Sequence, residues 1–350
     1  MNLELIIAGA LLIALTFYVL TGGADYGAGV WHLFARGARS RAYRALIDQA
    51  LAPIWEANHV WLIFVLVLLF TAFPPAFTAI VTNLHIPLTF LLIGIVMRGA
   101  SLAFRYADVP FGELHTQWDR LFALASLLTP FWLGVAIGTI VGGLPAVSGN
   151  FVATYISPWL QVFPFLVGLF TVVLVSYVAA AYLAVEAVDE RLIEDFRWRA
   201  IAAGLAVLLL DETVLLASRN GAPILWDALT GTAWGAAVQF GTATAGLAAI
   251  VCLWQKRFRW ARLCIVGQVT LTLWAWAFAQ FPYLVPPQLT IYNAAAPTLT
   301  LQWLLLALGV GALLLFPSLY YLFRVFKQQA MFGHDDPPPS GEQRRKGGHT

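Results

Sequence analysis

Nine stretches of mostly apolar residues divide this chain, at about 3–33, 51–72, 77–104, 119–141, 160–187, 198–217, 231–254, 260–281 and 300–325. Each is long enough to cross a bilayer core, which takes about 20 apolar residues in helical form. A backbone inside hydrocarbon must satisfy its own hydrogen bonds, so segments of this length read as helices. Of 350 residues, 60% are hydrophobic and only 11% charged, against about 25% charged in an ordinary soluble domain. That leaves no room for a soluble domain. The expected fold is an all-α polytopic membrane bundle of nine helices spanning 1–332, with a Pro-, Gly- and charge-rich tail at 333–350 that reads as disordered.

The basic residues turn this list into a topology. Of the 20 Lys and Arg residues, 19 fall on one side of the alternating connections and only Arg219 on the other. The segments at 73–76, 142–159 and 282–299 carry none. By the positive-inside rule the N-terminus lies outside and the C-terminus in the cytoplasm, which requires an odd number of spans. Trp159 and Tyr283 then suit the outer aromatic belt. The prolines of Phe281–Leu301 bar a regular helix and make an outer loop that covers a buried site.

Other classes of protein are excluded by what is missing. A net charge of +2 gives no basis for nucleic-acid binding. Cys252 and Cys264 have no CxxC or zinc spacing and read as inert core cysteines. The first 20 residues lack a basic n-region and a small-residue cleavage site, so they read as a span that stays. The sequence holds no phosphate-binding glycine loop, triad spacing or metal motif.

Chemistry is carried by acids inside spans. A charged side chain at mid-bilayer costs about 3 kcal/mol on insertion scales and marks a functional path by default. Asp25 sits among Gly22, Gly23, Gly27 and Gly29, small residues that let neighbouring helices approach closely. Glu56 opens the second span inside Trp55-Glu-Ala-Asn-His-Val-Trp61, where Glu56 and His59 share a helix face at i and i+3. The topology puts Asp25 and Glu56 in the cytoplasmic halves of adjacent spans, at similar depth. Two such acids look like the mouth of a proton path. Trp55, Asn58, His59 and Arg98 form a supporting cluster, with Arg98 either pairing an acid or anchoring the inner membrane face. His32, His59 and His85 read as hydrogen-bonded core or interface histidines without haem-ligand spacing, and Met97 is no better a ligand. Asp211 and Glu212 read as water-contacting acids at the outer end of the sixth span. The residues alone leave open a stand-alone proton-coupled transporter, a subunit of a redox complex, or a scaffold. A transporter would show Gly/Pro-broken spans in both halves, whereas the broken acidic element lies only in the first two.

Gly23-Ala-Asp-Tyr-Gly27, followed by Pro53-Ile-Trp-Glu-Ala-Asn-His-Val-Trp61, resembles subunit II of the cytochrome bd quinol oxidases, including the cyanide-insensitive group. The Arg98 region, the FPYLVPP…IYNAAAPTLTL segment and the nine-span layout support the resemblance over nearly the whole chain except the tail. It implies a heterodimer with a haem-bearing subunit I in a bacterial cytoplasmic membrane. That complex oxidises quinol and reduces O2 to water with protons from the cytoplasm. Haems b and d would lie in subunit I, and this chain would bind none. The resemblance assigns the proton route to Asp25 and Glu56 and an oxygen channel to Trp61. Some members carry Asp in the second motif, so Glu56 is a longer side chain of the same charge. Some relatives hold a structural quinone in this subunit. The sequence leaves open that quinone, bound lipid, and a small accessory subunit.

Overall fold

The computed structural model describes residues 2–332 except 36, 38, 52–54, 108–112 and 146–148. The side chains at 51, 55–57, 106–107, 113–116, 316, 319 and 322–332 also lie outside the described set, as does the predicted tail, 333–350. Among the described residues, eight helices are long and apolar enough to cross a membrane, or nine if one sharply bent pair counts as a span. The fold among the described residues is all-α apart from one two-stranded hairpin. Among the described residues, those up to Leu301 form one compact unit and those from Gln302 a second.

The first span is α1 (Leu3–Phe17), a π-turn (Tyr18–Gly22) and α2 (Gly23–Leu33) in continuous helical backbone. The amphipathic helix α3 (Ser40–Leu51) follows in what the sequence left as a connection. Tyr43 and Arg39 both bond Asp195, which ties α3 to a later helix. Burial, and then the bond to Asp195, push the Tyr43 phenol above its ordinary value, so it remains a hydrogen-bond donor at neutral pH.

The second and third spans differ from expectation. Helix α4 (Trp55–Ala72) ends at Phe73, and α5 (Pro74–Asn83) leaves it at 117° before α6 (His85–Ala107) begins. Pro74 and Pro75 occupy the first positions of α5, where a missing N–H costs nothing and the fixed φ favours a new helix. The expected charge-free connection plus the start of the third span is therefore a separate short helix, and the third span starts at His85 rather than 77.

The remaining spans fall close to the expected ranges: α7 (Glu113–Gly142), α9 (Val162–Glu186), α10 (Glu190–Gly221), α12 (Ala233–Trp254) and α13 (Phe258–Gln280). Short helices α8 (Phe151–Tyr155) and α11 (Pro223–Thr230) fill two connections. Helix α14 (Thr298–Phe332), largely in the second unit, is a long helix with Pro317 inside it. In the first unit α9 is the hub. Its stretch from Leu174 to Ala181 is buried without a break, as expected for a helix apolar on every side, and it packs on α2, α7 and α10.

The 282–299 segment is an ordered hairpin, β1 (Tyr283–Val285) against β2 (Leu289–Thr290), with Tyr283 opposite Thr290. Gln280 Nε2 donates to the Leu284 carbonyl at 3.0 Å, and Ala296 N to the Ala72 carbonyl at 2.8 Å. Trp159 is not a belt residue: it is buried, donates to the Tyr155 carbonyl at 2.6 Å and packs edge-on to Trp132.

Candidate functional site

Three helices supply the site in matching registers. Asp25, Gly29 and His32 follow one another along α2, Arg98 and Arg105 lie seven residues apart on α6, and Asp119, Phe122 and Ser126 lie on α7. Spacings of three, four and seven put residues on one helix face. The close approach of α2 to its neighbours needs its glycines. A Cβ at Gly27 would run into the Val175 carbonyl of α9, and one at Gly29 into the Ser126 hydroxyl of α7. These contacts bring the polar side chains together at two levels.

The deeper level holds Asp25 and Arg98, 2% and 1% exposed. Arg98 Nη2 is 3.6 Å from Asp25 Oδ2 and 3.4 Å from the Asp25 carbonyl, while its Nε donates to Ser126 Oγ at 3.2 Å. Asn58 of α4 is buried and donates from Nδ2 to Asp25 Oδ2 at 3.3 Å. Among the described residues Asp25 Oδ1 has no hydrogen-bond partner, which makes it the oxygen available for a proton. The adjacent Tyr26 hydroxyl lies 3.2 Å from His59 Nε2, and the Arg98 guanidinium stands over the Tyr26 ring at 4.7 Å.

The second level lies toward α3. Asp119, buried, is held by Arg105 Nε at 2.8 Å and by Arg44 Nη1 at 2.7 Å. Arg105 Nη2 also donates to both oxygens of Asp48 at 2.9 Å. His32 Nε2 is 3.5 Å from Arg105 Nη2 and 3.7 Å from Asp119 Oδ1. The side chains of Arg44 and Asp48 are 40% and 35% exposed, so this cluster reaches the surface of the chain. The buried Phe122 stands between the levels, 5.3 Å from the Arg98 guanidinium, 5.1 Å from that of Arg105, and edge-on to His32 at 5.6 Å.

The structure thus brings together Asp25, Asn58 and Arg98, with His59 reaching them through Tyr26. Arg98 is a buried ion-pair partner rather than an anchor at the membrane face. Glu56 and Trp55 lie on α4, but their side chains fall outside the described residues. Trp61, three residues and less than one turn along α4 from Asn58, stacks on Phe17 at 4.7 Å. His85 bonds the Thr82 carbonyl at 3.0 Å, away from this site. The sequence reading missed His32, Asp48, Arg105, Asp119 and Phe122 as site members. The signal was present: seven-residue repeats of Asp25/His32, Arg98/Arg105 and Asp119/Ser126 on the first, third and fourth spans.

A second feature is a cavity of about 370 Å³ among α7, α9, α10, α12 and α13, lined by Phe163, Leu208, Val269 and Trp276 and by a few polar groups, Gln239, Thr242 and Asp211. Asp211 and Glu212, expected to meet water at the outer end of the sixth span, line this cavity instead, and helix α10 continues past them to Gly221.

The profile of the family "Cytochrome bd terminal oxidase subunit II" matches residues 3–326. The chain is 28% identical over 169 residues to cytochrome bd ubiquinol oxidase subunit 2 of Bacillus subtilis (strain 168), covering 48% of this chain and 49% of that protein. It is 26% identical over 189 residues to cytochrome bd-I ubiquinol oxidase subunit 2 of Escherichia coli (strain K12), covering 53% of this chain and 48% of that protein. The chain therefore spans about half the length of these curated relatives. Its fold superposes on a chain from the structure of bd oxidase from Geobacillus thermodenitrificans with a TM-score of 0.77 and 26% identity, covering 93% of this chain and 99% of that one.

Proposed function

This chain belongs to the cytochrome bd terminal oxidase subunit II family, and on that premise we propose that it is the proton-conducting partner of a haem-bearing subunit I. The pair oxidises quinol and reduces O2 to water in a bacterial cytoplasmic membrane. The observation that carries this reading is the two-level polar line from the surface groups Arg44 and Asp48 to buried Asp25. A multi-pass membrane chain retains such groups inside its spans at a cost of several kcal/mol each unless they are paired or used.

The orientation we propose follows from charge: the alternation of the spans assigns the connections rich in Lys and Arg to the side of α3, which is the cytoplasmic side under the positive-inside rule. The N-terminus is then outside and the C-terminus inside. Protons arrive from the cytoplasm at the Arg44–Asp48–Asp119 cluster, reach Asp25, and leave toward subunit I, where haems b and d carry out the redox chemistry. Arg98 and Asn58 hold Asp25 in place at 3.6 and 3.3 Å, and Glu56 supplies the second carboxylate of the route. Trp61, against Phe17, borders the path for O2. The apolar cavity is of a size and character suited to an isoprenoid quinone held as a structural lipid.

The test is to purify the chain with and without its haem-bearing partner and record reduced-minus-oxidised visible spectra. The reading predicts a colourless chain alone and b- and d-type bands in the pair. Haem on the isolated chain overturns the division of labour. A chain that co-purifies with no haem protein favours a stand-alone proton-coupled transporter.

A further inference from the structure

The polar line is interrupted at one place. Between the cytoplasmic cluster and Asp25 stands Phe122, fully buried and flanked by the guanidiniums of Arg98 and Arg105 within the distance of a cation–π contact. Its edge meets the His32 ring. We propose that His32 is the group that carries protons from the cytoplasmic cluster toward Asp25, and that Phe122 is the apolar barrier they pass. This inference rests on the proton-path reading above.

The chemistry of His32 fits the task. Arginine can only donate, so the 3.5 Å contact from Arg105 Nη2 to His32 Nε2 describes an imidazole with Nε2 unprotonated. A proton arriving at Nε2 converts that nitrogen from acceptor to donor. Asp119 Oδ1, 3.7 Å away, is the acceptor within reach of a small side-chain shift. Arg105 loses its contact with the histidine but keeps both oxygens of Asp48 at 2.9 Å and Asp119 at 2.8 Å. Protonation of His32 therefore strands no charge. The cluster of Arg44, Arg105, Asp48 and Asp119 is neutral by itself, so one added proton leaves a single positive charge among two carboxylates. An imidazole binds a proton at one nitrogen and releases one from the other, which suits it to shuttle protons near neutral pH.

One turn before His32 on α2, the contact with α7 is also polar. Gly29 presents no side chain toward α7, and Ser126 Oγ fills the space a Cβ would take there. That hydroxyl already accepts from Arg98 Nε, whose guanidinium pairs with Asp25. The step is a proton transfer with no bond formed or broken elsewhere: the proton is taken from cytoplasmic water, held on His32, passed across the Phe122 barrier to the Asp25 carboxylate and consumed in O2 reduction in subunit I. A buried aromatic ring between two guanidiniums keeps out water and metal cations, as hydrophobic constrictions and fixed arginines do in selective pores.

The experiment uses the assembled complex in liposomes with a pH-sensitive dye, an O2 pulse and time-resolved proton uptake. Haem spectra of each purified variant report assembly, and Asp25→Asn serves as the reference. His32→Gln should slow uptake on the order of a hundredfold, the scale of losing a positioned proton carrier, with the quinol KM unchanged. Phe122→Leu, which stays apolar but shortens the barrier, should speed uptake in the native background and not in His32→Gln. Native uptake in His32→Gln, while Asp25→Asn is slow, overturns this inference and leaves the path reading standing. Native uptake in Asp25→Asn overturns the path reading itself. If His32→Gln does not assemble, Phe122→Leu decides alone, and an unchanged rate in it overturns the proposal.

Discussion

Arg98 is 1% exposed and has Asp25 as its ion-pair partner, itself 2% exposed. Truncating one member of such a pair leaves a charge buried without compensation, at roughly 3–5 kcal/mol. Arg98→Leu should therefore lower the thermal stability of the purified complex strongly, and adding Asp25→Asn should restore much of the loss, because the orphaned charge is removed. Additive losses in the double variant would mean that the two side chains do not share a site. At this scale Asp25 and Asn58 were legible, because a carboxylate and an amide inside apolar runs stand out. Arg105 and Asp119 were not singled out, because each lies near a span end, where positive-inside anchoring and solvation account for polar residues equally well, and His32 was read only as a core or interface histidine. Only the packing of α2, α6 and α7 separates a buried pair from an anchor.

Among the elements, α2 and α9 approach so closely that no side chain fits at Gly27. Gly27→Ala puts a methyl against the Val175 carbonyl, a backbone atom that cannot swing away, and overpacking of this kind costs about 1–3 kcal/mol or more. The complex carrying it should lose haem-replete, monodisperse material on size exclusion. Gly9→Ala, at a position with open space around it, should behave as the native chain. Equal behaviour of the two would contradict the proposed role of the glycines in bringing the ladder together. The spans themselves were readable, since hydrophobic length dictates them. The bend at Phe73, helix α3 and the π-turn at Tyr18–Gly22 were not. Prolines mark a helix start and a chain break with the same letters, and a π-turn is a matter of backbone register that hydropathy does not record. The reading of Asp211 and Glu212 as water-contacting acids changes for a related reason: α10 runs to Gly221, four residues past its expected end, and both acids line a cavity that hydropathy does not record.

At the scale of the whole molecule, charge alternation, the family profile over residues 3–326 and the buried ladder point the same way. On the proposed reading, this chain serves an oxidase by delivering protons from one side of the membrane to a reaction in its partner. The measurement that tests this most directly is proton uptake after an O2 pulse in the reconstituted complex carrying Asp25→Asn. The account predicts a complex with its full complement of haem in which uptake slows on the order of a hundredfold and steady-state O2 consumption falls with it. Uptake at the native rate would contradict it, and would reduce the buried Asp25–Arg98 pair to a packing feature of a scaffold subunit.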